Sequence, residues 1–464
     1  MSDRSEFPTG ADRQPGVISF FSGCGALDLG LEHAGFKTAI ANEINDAFAD
    51  GYEFARHRKV RLPAEEGGVI RAGIETFFEG ENHAKLRAAM DKVRAESGVV
   101  GFIGGPPCPD FSIAGKQLGH TGDRGRLTQD YFDLIGQNRP DFFLFENVRG
   151  LRSTAKHRAY FDIILKRADE DGYAITERLV NALDFGAPQD RHRVIVIGFH
   201  RDAFPDADGM ARAFGWLDHA PYAGAYRQRW PARNTLNRDD NGLIQDVPPV
   251  RPDTLDTRYL DLAVQTWFER NDVGTHDNAR DRFVVKAGLT RMREIAEGDT
   301  SRKSFKRLHR WRFAPTMAFG NNEVPLHPYE DRRISVAEAL ALQSLPKDFI
   351  LPPTTPSSWK GIPLEDRPVT MTLTDKFKTI GNGVPFLLAK GLGASIRDVI
   401  SDRRALPVRL YPERGRTPLV NPIVNPLPPE LDQISLFPVE DGVLVEQPDL
   451  VEAGPDEDST LLAA

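Results

Sequence analysis

The sequence predicts an α/β protein built on a doubly wound, mostly parallel sheet. Short apolar runs alternate with segments of helical periodicity between residues 17 and 199, the pattern of parallel strands joined by crossover helices. Glycine-rich turns follow two of these runs, at the strand ends where open α/β sheets bind ligands. Because 464 residues exceed a usual single core, we also expect a smaller second domain and a disordered end.

The first strand is predicted to begin near residue 16, after a mostly polar start over residues 1–15 that is expected to be disordered. A turn through Gly23 and Gly25 leads into a helix from near Ala26 to Gly35. Glycines at a helix amino terminus allow a nucleotide-like ligand to approach the backbone. The next glycine is Gly30, so the GxGxxG fingerprint is absent, and an ordinary tight turn is the alternative interpretation.

The second strand is predicted to end at Glu43, and helices are predicted over residues 47–56 and 83–96. An acid at this strand end, roughly 20 residues after the glycine turn, is placed to accept hydrogen bonds from ribose hydroxyls. A solvated surface acid is the alternative.

The third strand, residues 99–103, ends abruptly at Gly104-Gly105-Pro106-Pro107, because proline cannot continue a central ladder. Cys108 follows, and the two prolines restrict the backbone that carries its sulfur. The alternative is a small buried hydrophobe, since free cysteine is often buried. A Gly-Gly-Pro-Pro loop is a poor place to pack a core residue, which favours a functional thiol.

A fourth strand is predicted over residues 141–148, with Glu146 at its carboxyl end. Burial there favours the protonated carboxyl that a general acid requires. A helix over residues 156–171 and strands over 173–181 and 193–199 continue the alternation.

Residues 202–311 show no pattern that assigns elements, but they end in a basic run interrupted by aromatic residues. Such a run suits a phosphate backbone with stacking side chains nearby, and a solvated basic face is the alternative. Its cations are Arg302, Lys303, Lys306, Arg307, Arg310 and Arg312. A helix is predicted over residues 335–345, and a loop over 380–385 precedes another apolar helix. Beyond Arg416 there is no lysine or arginine, which predicts a disordered acidic tail.

Composition narrows the class of protein. The net charge of −8 argues weakly against a nucleic-acid partner, although a local basic face decides phosphate binding. Two cysteines, Cys24 and Cys108, are too few for a disulfide framework or a cysteine zinc site, so no metal is expected. They favour a reducing cytoplasm. No apolar run reaches the roughly 20 residues that span a bilayer, so no membrane association is expected.

Six segments, in this order, resemble the DNA cytosine-5 methyltransferases over residues 17–394. They are FSGCG at residues 21–25, the GGPPCPDFS nucleophile loop at 104–112, FENV at 145–148, QDRHR at 189–193, RISVAEALALQSLPKDF at 333–349 and GNGVP at 381–385. The departures are Ser19, Ala26, Gly73 and Pro109, which stand where the family commonly has aspartate, glycine, aspartate and glutamine. The resemblance implies the fold of S-adenosylmethionine-dependent methyltransferases with an inserted target-recognition domain.

The resemblance also implies a reaction. The Cys108 thiolate would add to carbon 6 of a flipped cytosine, near the positive charge of Arg193 and of Arg191, and Glu146 would hold or protonate ring nitrogen 3. Arg193 would also contact the carbonyl oxygen of the base. The implied S-adenosylmethionine contacts are Phe21, Gly23, Gly25, Glu43, Ile44, Ile74, Pro107, Leu127, Asn382 and Val384.

Double-stranded DNA is the implied partner. Expected phosphate contacts are Arg124 and Arg126 in a mobile segment after the nucleophile loop, and Arg302, Lys303, Lys306 and Arg307. The predicted divisions are a catalytic domain over 16–200, a target-recognition domain over 201–313, a bracing helix and return to the catalytic domain over 314–404, and the tail over 405–464. The alternatives are a tRNA cytosine-5 methyltransferase and a non-catalytic DNA-binding regulator of the same fold.

The tail contains Gln433-Ile434-Ser435-Leu436-Phe437, which resembles the short peptide that docks bacterial proteins on the sliding clamp. Gln433, Leu436 and Phe437 would fill one apolar groove of the clamp. The alternative is a segment that packs on its own domain. A monomer in the bacterial cytoplasm, associated with the nucleoid, is the expected state.

Overall fold

The computed structural model describes most of the chain up to residue 401. The described residues are 14–58, 68–107, 126–153, 155–242, 244–245, 255–302, 305–316, 319, 323–356 and 369–401. Several predictions above lie outside them: the disordered start up to residue 13, Cys108, Arg124, Lys303, the acidic tail over 405–464 and, within it, the clamp-like segment that contains Gln433, Leu436 and Phe437.

A seven-stranded sheet forms the centre of the fold, in the order β3-β2-β1-β4-β5-β8-β6. Its strands are β1 (Gly16–Phe20), β2 (Lys37–Asn42), β3 (Val69–Ile70), β4 (Val100–Gly104), β5 (Phe142–Val148), β6 (Tyr173–Asn181) and β8 (His192–His200). β1 to β5 are mutually parallel, and β8 runs antiparallel between β5 and β6. The predicted doubly wound, mostly parallel sheet is confirmed. β7 (Gln189–Asp190) and β9 (Ala314–Pro315) form a separate parallel pair.

The helices predicted over residues 26–35, 47–56, 83–96, 156–171, 335–345 and after 385 lie within a few residues of the expected bounds. The helices that begin at Arg126 and Leu373, and the other short ones between them, were not predicted. The described helices include both groups. They are α1 (Ala26–His33), α2 (Asp46–His57), α3 (Gly80–Ser97), α4 (Arg126–Asn138), α5 (Gly150–Ser153), α6 (Ala155–Glu170), α7 (Ala207–Arg212), α8 (Val264–Arg270), α9 (Leu289–Glu294), α10 (Val336–Leu342), α11 (Leu373–Asn382) and α12 (Phe386–Ser401). Single 3₁₀ turns lie at Ile74–Phe77, Ala182–Phe185, Ala225–Arg227 and Thr257–Leu262. In the part of the chain that the structure describes, no helix is long and apolar enough to cross a bilayer.

The direction of the strands explains why the candidate residues lie at one edge of the sheet. β1, β2, β4 and β5 are parallel, so their carboxyl ends meet at one edge, and the antiparallel β8 begins at that same edge. Residues that follow or end these strands are therefore brought together from distant parts of the sequence.

The carboxyl-terminal helices return to this edge because α12 packs directly on α1. A Cβ atom at Gly30 would lie 2.4 Å from Ala389 Cβ, so glycine is what permits this close approach of the two helices. α11 runs through Asn382, which leaves only residues 383–385 as the connection to α12, shorter than the loop predicted over 380–385. Gly381 lies in α11 against the Phe319 ring, where a Cβ atom would approach within 2.6 Å, so glycine permits this contact.

The region without predicted elements consists of short helices and turns. Its first part, including Phe204, Met210 and Trp216, packs in the same apolar cluster as β8. The second part contains α8 and α9 and leads to α10, whose first turn carries a capping box between Ser335 and Glu338.

Arg307 corrects one prediction of a phosphate contact. Its side chain is 0% exposed, and its guanidinium donates to the carbonyl oxygens of Ile295, Met292, His327 and Glu330 at 2.8–3.0 Å and to Asp331 Oδ1 at 3.1 Å. A guanidinium whose donors are committed in this way stabilises the protein and is not available to DNA. Arg310, in the same run, is buried against Glu297 at 2.8 Å.

Candidate active site

The turn after β1 has a backbone that few side chains tolerate. Phe21, Gly23 and Gly25 have φ values of +56°, +56° and +83°. The left-handed conformation is unusual for phenylalanine, and such strain is concentrated at functional sites. The Phe21 ring lies 6.3 Å from that of Tyr131, and Ser22 N donates to Asn42 O at 3.0 Å, so β2 and α4 hold the turn in place.

Glu43 joins that turn to the end of β2. Its carboxylate accepts hydrogen bonds from Gly23 N at 3.0 Å and from Asn45 N at 2.8 Å. Burial raises the pKa of Glu43, and the backbone donors oppose the increase. The next residue, Ile44, is 68% exposed, although an isoleucine is ordinarily covered. A buried carboxylate therefore lies beside an exposed apolar side chain at the end of β2.

The segment from Ile70 to Ile74 closes this side of the site. Asn42 Nδ2 donates to Ile70 O at 3.0 Å and to Ala72 O at 2.7 Å, which fixes the segment beside β2. Ile74 is buried rather than presented to solvent. Sequence reasoning did not identify Asn42, although its place one residue before Glu43 was a signal.

A buried acid lies under the turn and was also missed. Asp28 is fully buried on α1, and burial raises its pKa to about 7, against the opposing effect of Arg56. Arg56 Nη1 lies 2.8 Å from Glu32 Oε2, and Arg56 Nη2 donates to Gly25 O at 3.2 Å. A charged network thus supports the turn from behind.

Glu146 and Arg193 form a buried ion pair at the end of β5. Glu146 Oε1 and Arg193 Nε are 2.8 Å apart, and both side chains are buried. The antiparallel register places Val148 opposite Arg193, which brings the β8 guanidinium beside the β5 carboxylate. Burial lowers the pKa of Arg193, and the Glu146 charge opposes that change. From the sequence we expected burial alone to influence the Glu146 carboxyl. The structure shows that this carboxyl also has a cationic partner, Arg193.

The start of the nucleophile loop lies against this pair. A Cβ atom at Gly105 would come within 2.7 Å of Glu146 Oε2, so glycine allows the loop to pass beside the carboxylate. Asn147 Nδ2 donates to Pro106 O at 3.4 Å, and Pro107 is exposed. The described part of this loop ends at Pro107, one residue before Cys108, and lies next to Glu146.

Arg191 has a different task from Arg193. Its Nη2 donates to Gly381 O at 2.7 Å and to Gly383 O at 3.0 Å, on either side of the exposed Asn382. Burial holds the pKa of Arg191 well below its ordinary value, and the charge of Arg193 adds to this effect. Val384, also a predicted cofactor contact, is buried. In the described geometry Arg191 positions the backbone of the GNGVP segment at residues 381–385, the predicted final cofactor loop.

Cys24 is the other cysteine of the sequence and is unsuited to nucleophilic chemistry. It is buried, and burial raises the pKa of its thiol to about 11. A thiol of this kind forms little thiolate near neutral pH. The chain contains two cysteines, so Cys108 is the remaining candidate nucleophile.

The other predicted contacts are dispersed. At the start of α4, Arg126 is exposed and lies 3.8 Å from Asp130, while Leu127 is half-buried. Arg302 is exposed and Lys306 is half-buried. In the described residues no cluster of three metal-binding side chains occurs.

Comparison with known proteins identifies the family. The model of the C-5 cytosine-specific DNA methylase family matches residues 16–398. The chain belongs to this family. It is 44% identical to Type II methyltransferase M.NmeDI of Neisseria meningitidis serogroup C, over 83% of this chain and 84% of that protein. It is 28% identical to Type II methyltransferase M.FnuDI of Fusobacterium nucleatum, over 84% of this chain and 96% of that protein.

The fold comparison agrees. A protein encoded in an E. coli prophage and described as a DNA modification methyltransferase has a TM-score of 0.51, with 21% sequence identity, over 83% of this chain and 99% of that one. The family match and the Type II relatives, rather than the fold, make the chain a DNA cytosine-5 methyltransferase, and its candidate site lies at the sheet edge described above. The predicted family, fold and enzyme class are confirmed.

Proposed function

We propose that this enzyme methylates cytosine through a covalent bond between Cys108 and carbon 6 of a base flipped out of double-stranded DNA. The buried Glu146–Arg193 pair, 2.8 Å apart beside the start of the nucleophile loop, carries the proposal. A reaction on a ring carbon requires the base outside the stack, because carbon 6 is not accessible to a thiolate inside the duplex.

Cys108, Glu146 and Arg193 each have a defined role in this scheme. The Cys108 thiolate attacks carbon 6, which pushes electrons into the ring and makes carbon 5 nucleophilic. Glu146 hydrogen-bonds or protonates ring nitrogen 3, where negative charge develops, and Arg193 contacts the carbonyl oxygen while it holds Glu146 in place. After carbon 5 takes up a methyl group it loses its proton to solvent, and the electrons of that bond re-form the double bond between carbons 5 and 6. The Cys108 sulfur then leaves carbon 6 as a thiolate, and a proton given to ring nitrogen 3 returns to Glu146.

The residues after β1 and β2 fit S-adenosylmethionine, whose sulfonium supplies an electrophilic methyl group when it is bound. Buried Glu43 can accept hydrogen bonds from ribose hydroxyls, and the exposed Ile44 offers an apolar surface to adenine. Gly73 stands where the family commonly has an acid, but the Glu75 carboxylate lies where a side chain at residue 73 would begin, since a Cβ atom at Gly73 would be 2.1 Å from Glu75 Oε1. Glu75 can therefore offer the adenine amine a carboxylate partner. Phe21, Gly23 and Gly25 would surround the methionine part.

A methyl-transfer assay tests the proposal. Labelled S-adenosylmethionine is incubated with the full-length enzyme and either unmethylated genomic DNA or bulk tRNA, and the product nucleosides are separated. We expect label in 5-methylcytosine of DNA. Label in tRNA alone, or in neither substrate, would contradict the proposed reaction on a base flipped out of double-stranded DNA.

We further propose that the carboxyl-terminal tail docks this enzyme on the bacterial sliding clamp. The enzyme would then act in the cytoplasm, as a monomer, near replicating DNA. The support is the sequence QISLF at residues 433–437, in a tail that contains no cation beyond Arg416. Glutamine and a Leu-Phe pair suit insertion into one apolar groove. The Type II names of the relatives support a modification role opposite a restriction nuclease.

Binding of full-length enzyme to purified clamp tests this second proposal. Phe437→Ala is expected to weaken binding at least tenfold, because a buried aromatic anchor is lost. Ile434→Ala, between the anchor positions, is the control and should bind as the wild type does. Equal binding by the wild type and Phe437→Ala, or no binding by either, would disprove docking through this segment.

A further inference from the structure

Exposed apolar side chains are rare in the described residues, and their positions are informative. Three large ones are exposed: Ile44 at 68%, Val284 at 77% and Leu289 at 47%. Ile44 belongs to the proposed cofactor site. Val284 and Leu289 lie five residues apart in the region between the strands and α10, which suggests that a partner covers them as well.

The residues around Val284 alternate between the interior and solvent. Phe283 stacks on Phe377 at 5.3 Å, and Val285 packs in a small cluster with Met292, Ile295 and Leu326. Arg282, Val284 and Lys286 are exposed between these anchors. An alternation of period two therefore presents a cation, an apolar side chain and a second cation on one side of the segment.

The same surface continues onto α9. Gly288, at φ +77°, turns the chain into α9, which exposes Leu289 and Arg291. We name the exposed side chains of Arg282, Val284, Lys286, Leu289 and Arg291 the reading face. Residues 280–293 contain five cations and one acid, and that acid, Asp281, lies 2.6 Å from Lys376 Nζ.

Buried side chains hold the reading face rigid. Arg307 donates to the carbonyl oxygens of Met292 and Ile295 at 3.0 and 2.8 Å, at the end of α9. Phe283 connects the face to the site through Phe377, which stacks on Phe319 at 5.7 Å, and Phe319 lies against Gly381 beside the final cofactor loop. A recognition surface on a rigid support can discriminate closely related ligands.

We propose that the reading face contacts the target sequence in duplex DNA, with Val284 and Leu289 against base edges and Arg282, Lys286 and Arg291 on the flanking phosphates. Apolar side chains read the thymine methyl and the exposed edges of bases, whereas cations on phosphates set the register. The excess of positive charge over this stretch, in a chain whose net charge is −8, matches an anionic partner. The inference depends on DNA being the substrate.

The test compares Val284→Ala, Leu289→Ala and Lys286→Gln with the wild type on unmethylated genomic DNA, with every methylated cytosine mapped by bisulfite sequencing. Val284→Ala and Leu289→Ala should lower the preference for the target over single-mismatch sites about fivefold to tenfold. Lys286→Gln should leave the sequence profile unchanged, weaken binding to every duplex, and reduce the slope of log affinity against log salt by about one.

Lys166→Gln is the matched control for charge. Lys166 is exposed near the carboxyl end of α6, at the sheet edge opposite the site because α6 runs back from the end of β5. This variant should keep the wild-type profile and salt slope. If the three reading-face variants also keep both, the proposal is overturned. Absence of methylation by the wild-type enzyme would instead contradict the proposed function.

Discussion

Cys108→Ala should abolish methyl transfer to DNA, with a rate at least roughly 10⁴-fold below the wild type, while S-adenosylmethionine binds with similar affinity. Without the thiolate, carbon 5 of cytosine is too weak a nucleophile to accept a methyl group. Most of the proposed cofactor contacts, including Glu43 and Ile44, belong to other elements, and Pro107, next to Cys108, is not altered by the substitution. Single-turnover transfer and calorimetric cofactor binding measure the two quantities.

A substrate analogue makes the covalent step visible. In a target that contains 5-fluorocytosine, fluorine cannot leave as a proton does, so the enzyme–DNA adduct should persist through denaturation. Cys24→Ala provides the matched control, since Cys24 is buried and its pKa is raised to about 11; this variant should still form the adduct. Turnover by Cys108→Ala, or an adduct that requires Cys24, would refute the assignment.

The parts of the site that sequence predicts are those encoded locally. Glu43 and Glu146 each end an apolar run, and a strand in a parallel sheet delivers its final residue to the ligand-binding edge. Gly105 could be assigned to a loop because it follows an apolar run and precedes two prolines. Its close approach to Glu146 depends on the pairing of β4 with β5, which the family segments imply but no single run encodes.

The parts that sequence did not predict depend on contacts between distant residues. Arg307 resembles a phosphate ligand because it lies in a basic run, yet its acceptors come from residues 292, 295, 327, 330 and 331. Arg191 likewise meets carbonyl oxygens about 190 residues away. A run of cations does not distinguish a guanidinium that satisfies buried carbonyls from one that remains in solvent.

The exposed residues of the reading face could not be predicted from the sequence either. Val284 belongs to a short apolar stretch with Phe283 and Val285, which sequence alone would place in the interior. The structure buries its two neighbours against Phe377 and the Met292 cluster and leaves Val284 outside. Whether one residue of such a stretch is exposed depends on the tertiary fold. The exposed surface around Val284 therefore could not be found from the composition of the stretch.

Glu146→Gln should lower the single-turnover rate of methyl transfer by roughly 10²- to 10⁴-fold, the usual contribution of a general acid. Glutamine has nearly the same shape as glutamate but cannot deliver a proton to ring nitrogen 3. The substitution also leaves the buried Arg193 guanidinium, 2.8 Å away, without its counter-charge. Cofactor affinity should change little, because the Glu43 region contains a separate set of contacts.

Asp141→Asn separates catalysis from the cost of breaking a buried ion pair. Asp141 lies at the opposite end of β5 and faces Arg94 at 3.4 Å, so this substitution also removes a buried carboxylate that is paired with an arginine. Both variants should melt at lower temperature than the wild type, but only Glu146→Gln should transfer methyl groups slowly per folded molecule. Equal losses of rate in the two variants would assign Glu146 a structural role, since Asp141 lies at the edge of the sheet that binds neither base nor cofactor.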